Sequence, residues 1–290
     1  MRSSRHLGSD DLVAAYFLLA RAGRDGVGRT SWRERVDAAS SAGFAGIGVM
    51  PHDYLRARDT GDADHLAQLL DDTDLCIAEI DGFPVRWSEE SEERRRREDA
   101  VFELADRFAV RHVVYPLVPP GGVLPERSSL LDELARVCDR AREHDLVVSV
   151  EFVPFVEPIG DVASTWDLVA EVDRSNCGVN VDFWHHHAGR NDGAALLSVP
   201  GDRITGIHFT DGAPDLSEPD PMKRTQRQRK LPGDGTFPMV ETLRTLRANG
   251  CATPMTLEVV TLEHLALPVD EFARLAFDAS RRVMDAAAAA

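Results

Sequence analysis

The sequence predicts an α/β chain folded as a single-domain (β/α)8 barrel of the TIM type over residues 1–290, and three observations carry that expectation. Strand-like and helix-like segments alternate eight times along 290 residues, close to the roughly 250 usual for such a barrel. No second composition block interrupts them, which favours one closed barrel over an open doubly wound sheet. Between residues 147 and 258, four aliphatic runs each end on a metal-ligating type of side chain: Val147-Val148-Ser149-Val150-Glu151, Gly178-Val179-Asn180-Val181-Asp182, Ile204-Thr205-Gly206-Ile207-His208 and Met255-Thr256-Leu257-Glu258. Strand neighbours point to opposite faces, so Ser149/Glu151, Asn180/Asp182, Gly206/His208 and Thr256/Glu258 share a polar face. Val148/Val150, Val179/Val181, Thr205/Ile207 and Leu257/Val259 then form an apolar one. A parallel barrel uses both, covering its outside with helices and opening its inner face at the carboxyl ends of the strands.

Taken in order, residues 12–20 supply the first strand. A helix over 30–42 follows, with Thr30 or Ser31 as its cap and Gly43 as its stop. Residues 44–50 read as strand two, 62–74 carry Leu66, Leu69 and Leu70 at helical spacing, and 75–80 form strand three with Glu79 and Asp81 at its end. The helix over 88–109 begins with almost wholly charged turns, acids first and Arg94 to Arg97 one turn later, the pattern of i,i+4 pairs on a solvated face. Strand four is 112–118. A Pro119-Pro120-Gly121-Gly122 loop leads to a helix over 128–144, with Leu130, Leu131, Leu134, Val137 and Ala141 on one side. Strand five is 146–152. Helices over 161–173 and 192–198 follow strands five and six, and helices over 236–249 and 268–285 follow strands seven and eight. Residues 286–290, all alanine, read as a disordered tail.

The formal net charge is −16, which argues against nucleic acid or an anionic membrane as partner, because phosphate contacts need locally dense Lys and Arg. Small molecules are the expected ligands. Cys76, Cys138, Cys177 and Cys251 lack the paired spacing of a zinc site and read as reduced, buried fillers. Arg2 and Arg5 ahead of the apolar 12–20 run resemble a signal peptide, but Asp10 and Asp11 interrupt it. No stretch reaches the ~20 apolar residues of a membrane span. A cytoplasmic protein is expected, with a homodimer a natural assembly for such a barrel.

Two glutamates, an aspartate and a histidine ending four consecutive strands, spaced about 4.8 Å apart, can converge on one side of the mouth. Three carboxylates there would repel one another; a divalent cation removes that cost. An oxygen-rich set with one imidazole suits Mn²⁺ best, with Mg²⁺, Co²⁺ or Zn²⁺ as further candidates, and suits a closed structural zinc site poorly.

The segments Ser149-Val150-Glu151-Phe152, Val181-Asp182-Phe183-Trp184-His185, Ile207-His208-Phe209-Thr210-Asp211 and Leu257-Glu258-Val259 resemble the metal-site strands of the xylose isomerase-like TIM barrel superfamily, in particular its sugar phosphate isomerase/epimerase branch. The resemblance implies Glu151, Asp182, His208 and Glu258 as metal ligands. It implies His185 as the substrate-facing histidine of an Asp-x-x-His motif and Glu157 as a substrate-contacting acid. Ketose epimerases of this group carry an arginine six positions after the ligand histidine, where this chain has Pro214. Its loop over 213–232 instead carries Lys223, Arg224, Arg227, Arg229 and Lys230 after strand seven, where a barrel often holds phosphate. A substrate carboxylate or phosphate held by Arg227, Arg229 or Lys230 is one reading, a solvated loop the other. Pro232-Gly233-Asp234-Gly235 reads as a turn, or as backbone N–H groups offered to a ligand. Of the three consecutive histidines, His185 is expected inward and His187 at the surface or behind the site. Trp184 and Phe209 read as apolar wall. Glu79, Asp81, His52 and Tyr115 are candidate hydroxyl binders at the mouth.

The expected function is divalent-metal-dependent isomerisation or epimerisation of a small polyhydroxy carbonyl compound, with Glu151 and Glu258 taking and returning the α-proton. The alternative is a dehydratase or lyase acting on an inosose-like or dehydroshikimate-like substrate, in which a β-hydroxyl departs after proton removal. A phosphodiesterase acting on damaged DNA would need more ligands and a basic surface. A binding subunit without turnover is disfavoured by the intact ligand set.

Overall fold

Short aliphatic runs pair side by side until the sheet meets itself. The structure, a computed structural model, describes residues 3–22, 27–85, 91–190, 193–259 and 266–289. In it, β1 (Leu12–Ala14), β2 (Gly46–Val49), β3 (Cys76–Ile80), β4 (His112–Pro116), β5 (Val147–Glu151), β6 (Cys177–Asp182), β7 (Ile204–His208) and, after a small hairpin of β8 (Asp211–Gly212) and β9 (Arg229–Lys230), β10 (Met255–Leu257) appear in chain order. The barrel strands are parallel and close in the order β1-β10-β7-β6-β5-β4-β3-β2, while β8 and β9 pair antiparallel at the mouth. Their connections hold α1 (Tyr16–Ala20), α2 (Trp32–Ala42), α3 (Pro51–Thr60), α4 (Ala63–Thr73), α5 (Glu92–Phe108), α6 (Arg127–Glu143), α7 (Val162–Val172), α8 (Phe183–Ala188), α9 (Gly193–Ser198), α10 (Pro221–Arg227), α11 (Met239–Ala248) and α12 (Val269–Ala288).

Local chemistry sets many of the boundaries. Ser31 and Glu34 form a reciprocal capping box at the start of α2, and Gly43 ends that helix with a left-handed φ of 100°, a conformation that costs glycine little. Asp161 and Ser164 do the same for α7. On the outer face, Val148, Val150, Val179, Val181, Ile207 and Leu257 are buried in the main core beneath the helices, as alternation requires. Leu7, Val13, Cys76 and Ala78 form a smaller apolar cluster inside the barrel near the starts of β1 and β3. All four cysteines are buried and none forms a disulfide. No helix among the described residues is long and apolar enough to cross a membrane.

Several expectations change. The 12–20 run is a strand only over Leu12–Ala14; the Ala15 amide bonds the Leu257 carbonyl where its partner β10 ends, and the chain then turns into α1. Without a further ladder partner the run satisfies its backbone as a helix. The alanines from 286 complete the last turn of α12 rather than forming a disordered tail. Alanine is the best helix former, Ala287 is buried, and Arg244 bonds the carbonyls of Ala286 and Ala287; residue 290 lies outside the described residues, as do the expected helix starts at 88–90 and 192. The charged face of α5 is not wholly solvated: Glu98 is buried and accepts from Arg94, Arg136 and Arg140, tying α5 to α6.

Two bulges alter which side chains face inward. The β2–β3 register steps from Ile47↔Ile77 to Gly48↔Glu79, and the β6–β7 register from Val179↔Ile204 to Asn180↔Gly206, so Ala78 and Thr205 are extra residues. Thr205 therefore leaves the apolar face assigned to it by alternation, and its hydroxyl meets that of Ser149.

Candidate metal centre

Glu151, Asp182 and His208 terminate β5, β6 and β7, and Glu258 directly follows β10. Across the sheet, Asp182 stands opposite His208, while Glu151 stands opposite Asn180 and His208 opposite Thr256, a stagger in keeping with the tilted strands of a closed barrel. Each of the four residues offers a ligand atom, and these atoms all lie within 4.8 Å of one another.

Local structure holds each in place. Asp182 caps α8: its Oδ1 accepts from the amides of Trp184 at 2.7 Å and His185 at 3.3 Å, which leaves Oδ2 for the cluster. Asn180 Nδ2 donates to Glu151 Oε1 at 2.9 Å. Glu258 Oε2 and Asp182 Oδ2 meet Arg229 at 3.0 Å and 2.7 Å, and that arginine also donates to the Glu258 carbonyl at 3.1 Å. His208 Nδ1 lies 2.8 Å from Glu151 Oε1, 3.4 Å from Glu258 Oε2 and 3.9 Å from Asp182 Oδ2, yet this buried nitrogen makes no hydrogen bond. Proximity without hydrogen-bond alignment is what a shared cation accommodates. The donor set of three carboxylates and one imidazole fits a hard or borderline divalent ion.

The electrostatics are those of crowded acids with few cations. Burial pushes Asp182 up, but Arg229, His185 and His208 outweigh it and hold its carboxyl well below the usual range. Glu79 is likewise buried, and His208 and His112 hold it below the usual range. At Asp81 the balance is reversed: burial, Glu258 and Glu79 outweigh His208 and push its carboxyl well above the usual range. Burial disfavours a charged His208, yet Glu79, Glu151 and Glu258 raise it well above its ordinary value; burial lowers His185.

The other sequence-based candidates divide. His185 is buried, with Nε2 3.6 Å from Asp182 Oδ2, and so joins the cluster. Of the three basic candidates, Arg229 is buried against the ligands, Arg227 is exposed at the end of α10, and Lys230 is half-buried on β9. Glu157 is not brought in: its side chain is 69% exposed and paired with Arg190 at 3.0 Å. The Pro232-Gly233-Asp234-Gly235 stretch is a turn whose amides are already used. Asp211 Oδ2 accepts from Gly233 and Gly235, both at 3.0 Å, and Oδ1 from Gly212 at 2.7 Å and Phe237 at 3.0 Å. A Cβ at Gly235 would stand 2.3 Å from Asp211 Oδ1, so glycine is needed there for close approach.

His187 is not at the surface; it is buried, and its Nε2 meets Thr242 Oγ1 at 3.0 Å on α11. Trp184 and Phe209 are buried walls; the indole donates to Thr225 at 2.9 Å, and Phe209 packs edge-on against Phe183. Tyr115 stacks on Phe83 and lines a cleft with Leu130 and Glu133 of α6, while His52 on α3 packs against Tyr16. Neither reaches the cluster, because Tyr115 shares its face with the outward Val150 opposite it in register and His52 lies on α3, packed against Tyr16. Glu79 lies beneath His208 inside the barrel rather than at the rim, and His112, bonded to it, was not anticipated at all. The bulge at Ala78 masks the inward phase of Glu79. The one available signal for His112 was a histidine at the start of a strand whose alternate residue, Val114, is small.

Residues 36–282 match the family model described as xylose isomerase-like TIM barrel. The chain is similar to 3-dehydroshikimate dehydratase of Pseudomonas aeruginosa, 26% identical over 231 residues that make up 78% of this chain and 36% of that protein. It is similar to inosose isomerase of Bacillus licheniformis, 26% identical over 189 residues, 63% of this chain and 66% of that protein. This chain thus spans less than two thirds of the length of both these curated relatives, and little more than a third of the dehydratase. Among solved structures, IOLI protein with a binding zinc atom shares the fold, with a TM-score of 0.78 at 18% identity over 95% of this chain and 98% of that one.

Proposed function

The chain belongs to the xylose isomerase-like TIM barrel family, and on that premise we propose that it is a divalent-metal-dependent enzyme that takes an α-proton from a small polyhydroxy carbonyl compound and returns it, an isomerase or epimerase. The observation that carries the reading is the convergence of Glu151, Asp182, Glu258 and His208, with ligand atoms within 4.8 Å at the carboxyl ends of the strands. These four residues would hold the cation, Mn²⁺ by preference for so oxygen-rich a set. Bound there, it supplies Lewis-acid stabilisation of negative charge developing on a carbonyl oxygen.

The protein's own groups do the rest. Glu151 and Glu258 are the least buried of the four, each side chain 12% exposed, and so are the two that substrate can reach. In this reading one removes the proton adjacent to the carbonyl and the other returns it, through an enediolate. Asn180 steadies Glu151 and Arg229 steadies Glu258. His185, on the first turn of α8, faces substrate oxygens, and Arg229 is placed to orient a hydroxyl or carboxylate, given its planar donor fork. General acid–base assistance is worth about 10²–10⁴-fold, so Glu151→Gln or Glu258→Gln should lower turnover by that order with the fold retained.

A second reading, a dehydratase or lyase, is supported by the similarity to 3-dehydroshikimate dehydratase over 78% of this chain and by the buried Arg229 beside the ligands, suited to a carboxylated substrate. Both are tested by screening the metal-reconstituted protein in D₂O with ketoses, inososes, their phosphates and shikimate-type acids. Deuterium entering at carbon without loss of mass is the isomerase outcome; loss of water with an ultraviolet-absorbing enone is the dehydratase outcome. Exchange with neither substrate class, in protein shown to be loaded, would overturn both.

A further inference from the structure

We infer that Glu79 and His112 are a buried positioning pair that holds His208 in the tautomer and ring orientation needed to offer Nδ1 to a divalent cation; this rests on the metal-centre reading above. Glu79 is 0% exposed and His112 1%. Glu79 Oε1 lies 3.3 Å from His208 Nε2, and its Oε2 lies 3.0 Å from His112 Nε2. Both oxygens of one carboxylate are therefore engaged by imidazoles, one from β7 and one from β4, across the barrel interior.

The chemistry assigns the direction. A neutral imidazole has one N–H and one lone pair. An ionised carboxylate can only accept, so with the imidazole neutral, as cation binding requires, Glu79 selects the His208 tautomer with the proton on Nε2 and leaves the lone pair on Nδ1, the nitrogen that stands 2.8 Å from Glu151 Oε1 and 3.4 Å from Glu258 Oε2. A carboxylate accepting the outer N–H of a ligand histidine also raises the basicity of that ligand. His112 occupies the second oxygen, which keeps Glu79 down in the barrel and out of the cluster.

Stability alone does not account for the pair. A carboxylate and two imidazoles at full burial carry a desolvation cost that well-packed apolar residues of similar volume avoid, and TIM-barrel interiors are ordinarily filled by branched apolar side chains. The bulge at Ala78 is the backbone feature that brings Glu79 into phase beneath His208.

The test titrates wild-type protein, Glu79→Ala, Glu79→Gln and His112→Asn with Mn²⁺ and Zn²⁺ by calorimetry and chelator competition, with imidazole ¹⁵N shifts of His208 read in the same proteins. The expected result is 10–100-fold weaker binding in Glu79→Ala, with His208 no longer confined to the Nε2–H tautomer, and partial recovery in Glu79→Gln, whose carbonyl still accepts. His112→Asn should weaken binding less. Equal affinities and an unchanged His208 tautomer in all variants, with wild type binding metal, would overturn the inference and leave the metal centre standing. A wild type that binds neither ion would overturn the metal centre itself. Should Glu79→Ala not fold, Glu79→Gln and His112→Asn carry the same comparison.

Discussion

Asp182 performs two jobs with two oxygens, and substitution can separate them. Oδ1 caps α8 and Oδ2 meets Arg229 in the cluster. Asparagine is as good an N-cap as aspartate, so Asp182→Asn keeps the cap while removing the charge; Asp182→Ala removes both. Losing an N-cap costs about 1 kcal/mol. With an unfolding entropy of roughly 2.1 cal/mol/K per residue, 290 residues give about 0.6 kcal/mol/K, so the alanine variant should melt roughly 2 °C below the asparagine variant. Both should lie further below wild type, because the buried Arg229 loses one of two carboxylate partners; removing one side of a buried pair costs about 3–5 kcal/mol, and Glu258 recovers part of it. Both should bind Mn²⁺ at least about 10²-fold more weakly, since a lost ligand should cost no less than the 10–100-fold of a lost outer hydrogen bond. Calorimetric melting and metal titration of the three proteins check this. Wild-type metal affinity in Asp182→Asn would refute the ligand role, and identical melting of the two variants would refute the cap.

Burial raises the Glu98 carboxyl, but Arg136 and Arg140 more than offset this and hold it below its ordinary value. Its contribution is therefore fully present above the unfolded glutamate pKa of about 4.3 and is lost as pH falls through the lower folded value. Urea midpoints measured between pH 6 and pH 3 should fall less steeply in Glu98→Gln than in wild type. Asp211→Ala should release four amides at once, and hydrogen exchange at Gly233, Gly235 and Phe237 is expected to accelerate by about 10–100-fold, given the roughly 1.5–3 kcal/mol typical of bonds to a charged acceptor. Arg35 and Asp53 form a buried ion pair between α2 and α3, with Arg56 on the second Asp53 oxygen. Arg35→Ala should cost about 3–5 kcal/mol, and the double variant Arg35→Ala, Asp53→Ala less, as read by urea denaturation.

Much of this architecture is legible without coordinates. The eight alternations, the cap at Thr30 or Ser31, which the structure places on Ser31, and the Gly43 stop rest on interactions within a few residues, and the four ligands rest on a period of two. What escaped depends on longer reach. α3 begins with Pro51 and ends at Gly61, the proline-first, glycine-last signature, but its mixed charges obscure the apolar stripe. α8 depends on Asp182 turning from strand end to cap. The selection of Arg229 over Arg227 follows from the β8–β9 hairpin, which places one arginine opposite Gly212 and leaves the other on an exposed helix end. Glu157 shares spacing with a substrate-contacting acid, yet Arg190 draws it outward. Among the described residues, alternation is broken at Ala78 and Thr205, where an inserted residue interrupts the register.

Those two insertions make chain length in the barrel wall a matter of parity. In β7, Thr205 is unmatched while Ile204 and Gly206 on either side are in register with β6. Removing that one residue would leave a regular ladder with His208 still facing the axis. Removing a matched neighbour downstream of the bulge, with the ladder otherwise kept, would turn the imidazole out beneath the helices. The same wall is thus forgiving of a lost residue at one point and intolerant one step along, and the ligand side chain reports which has occurred.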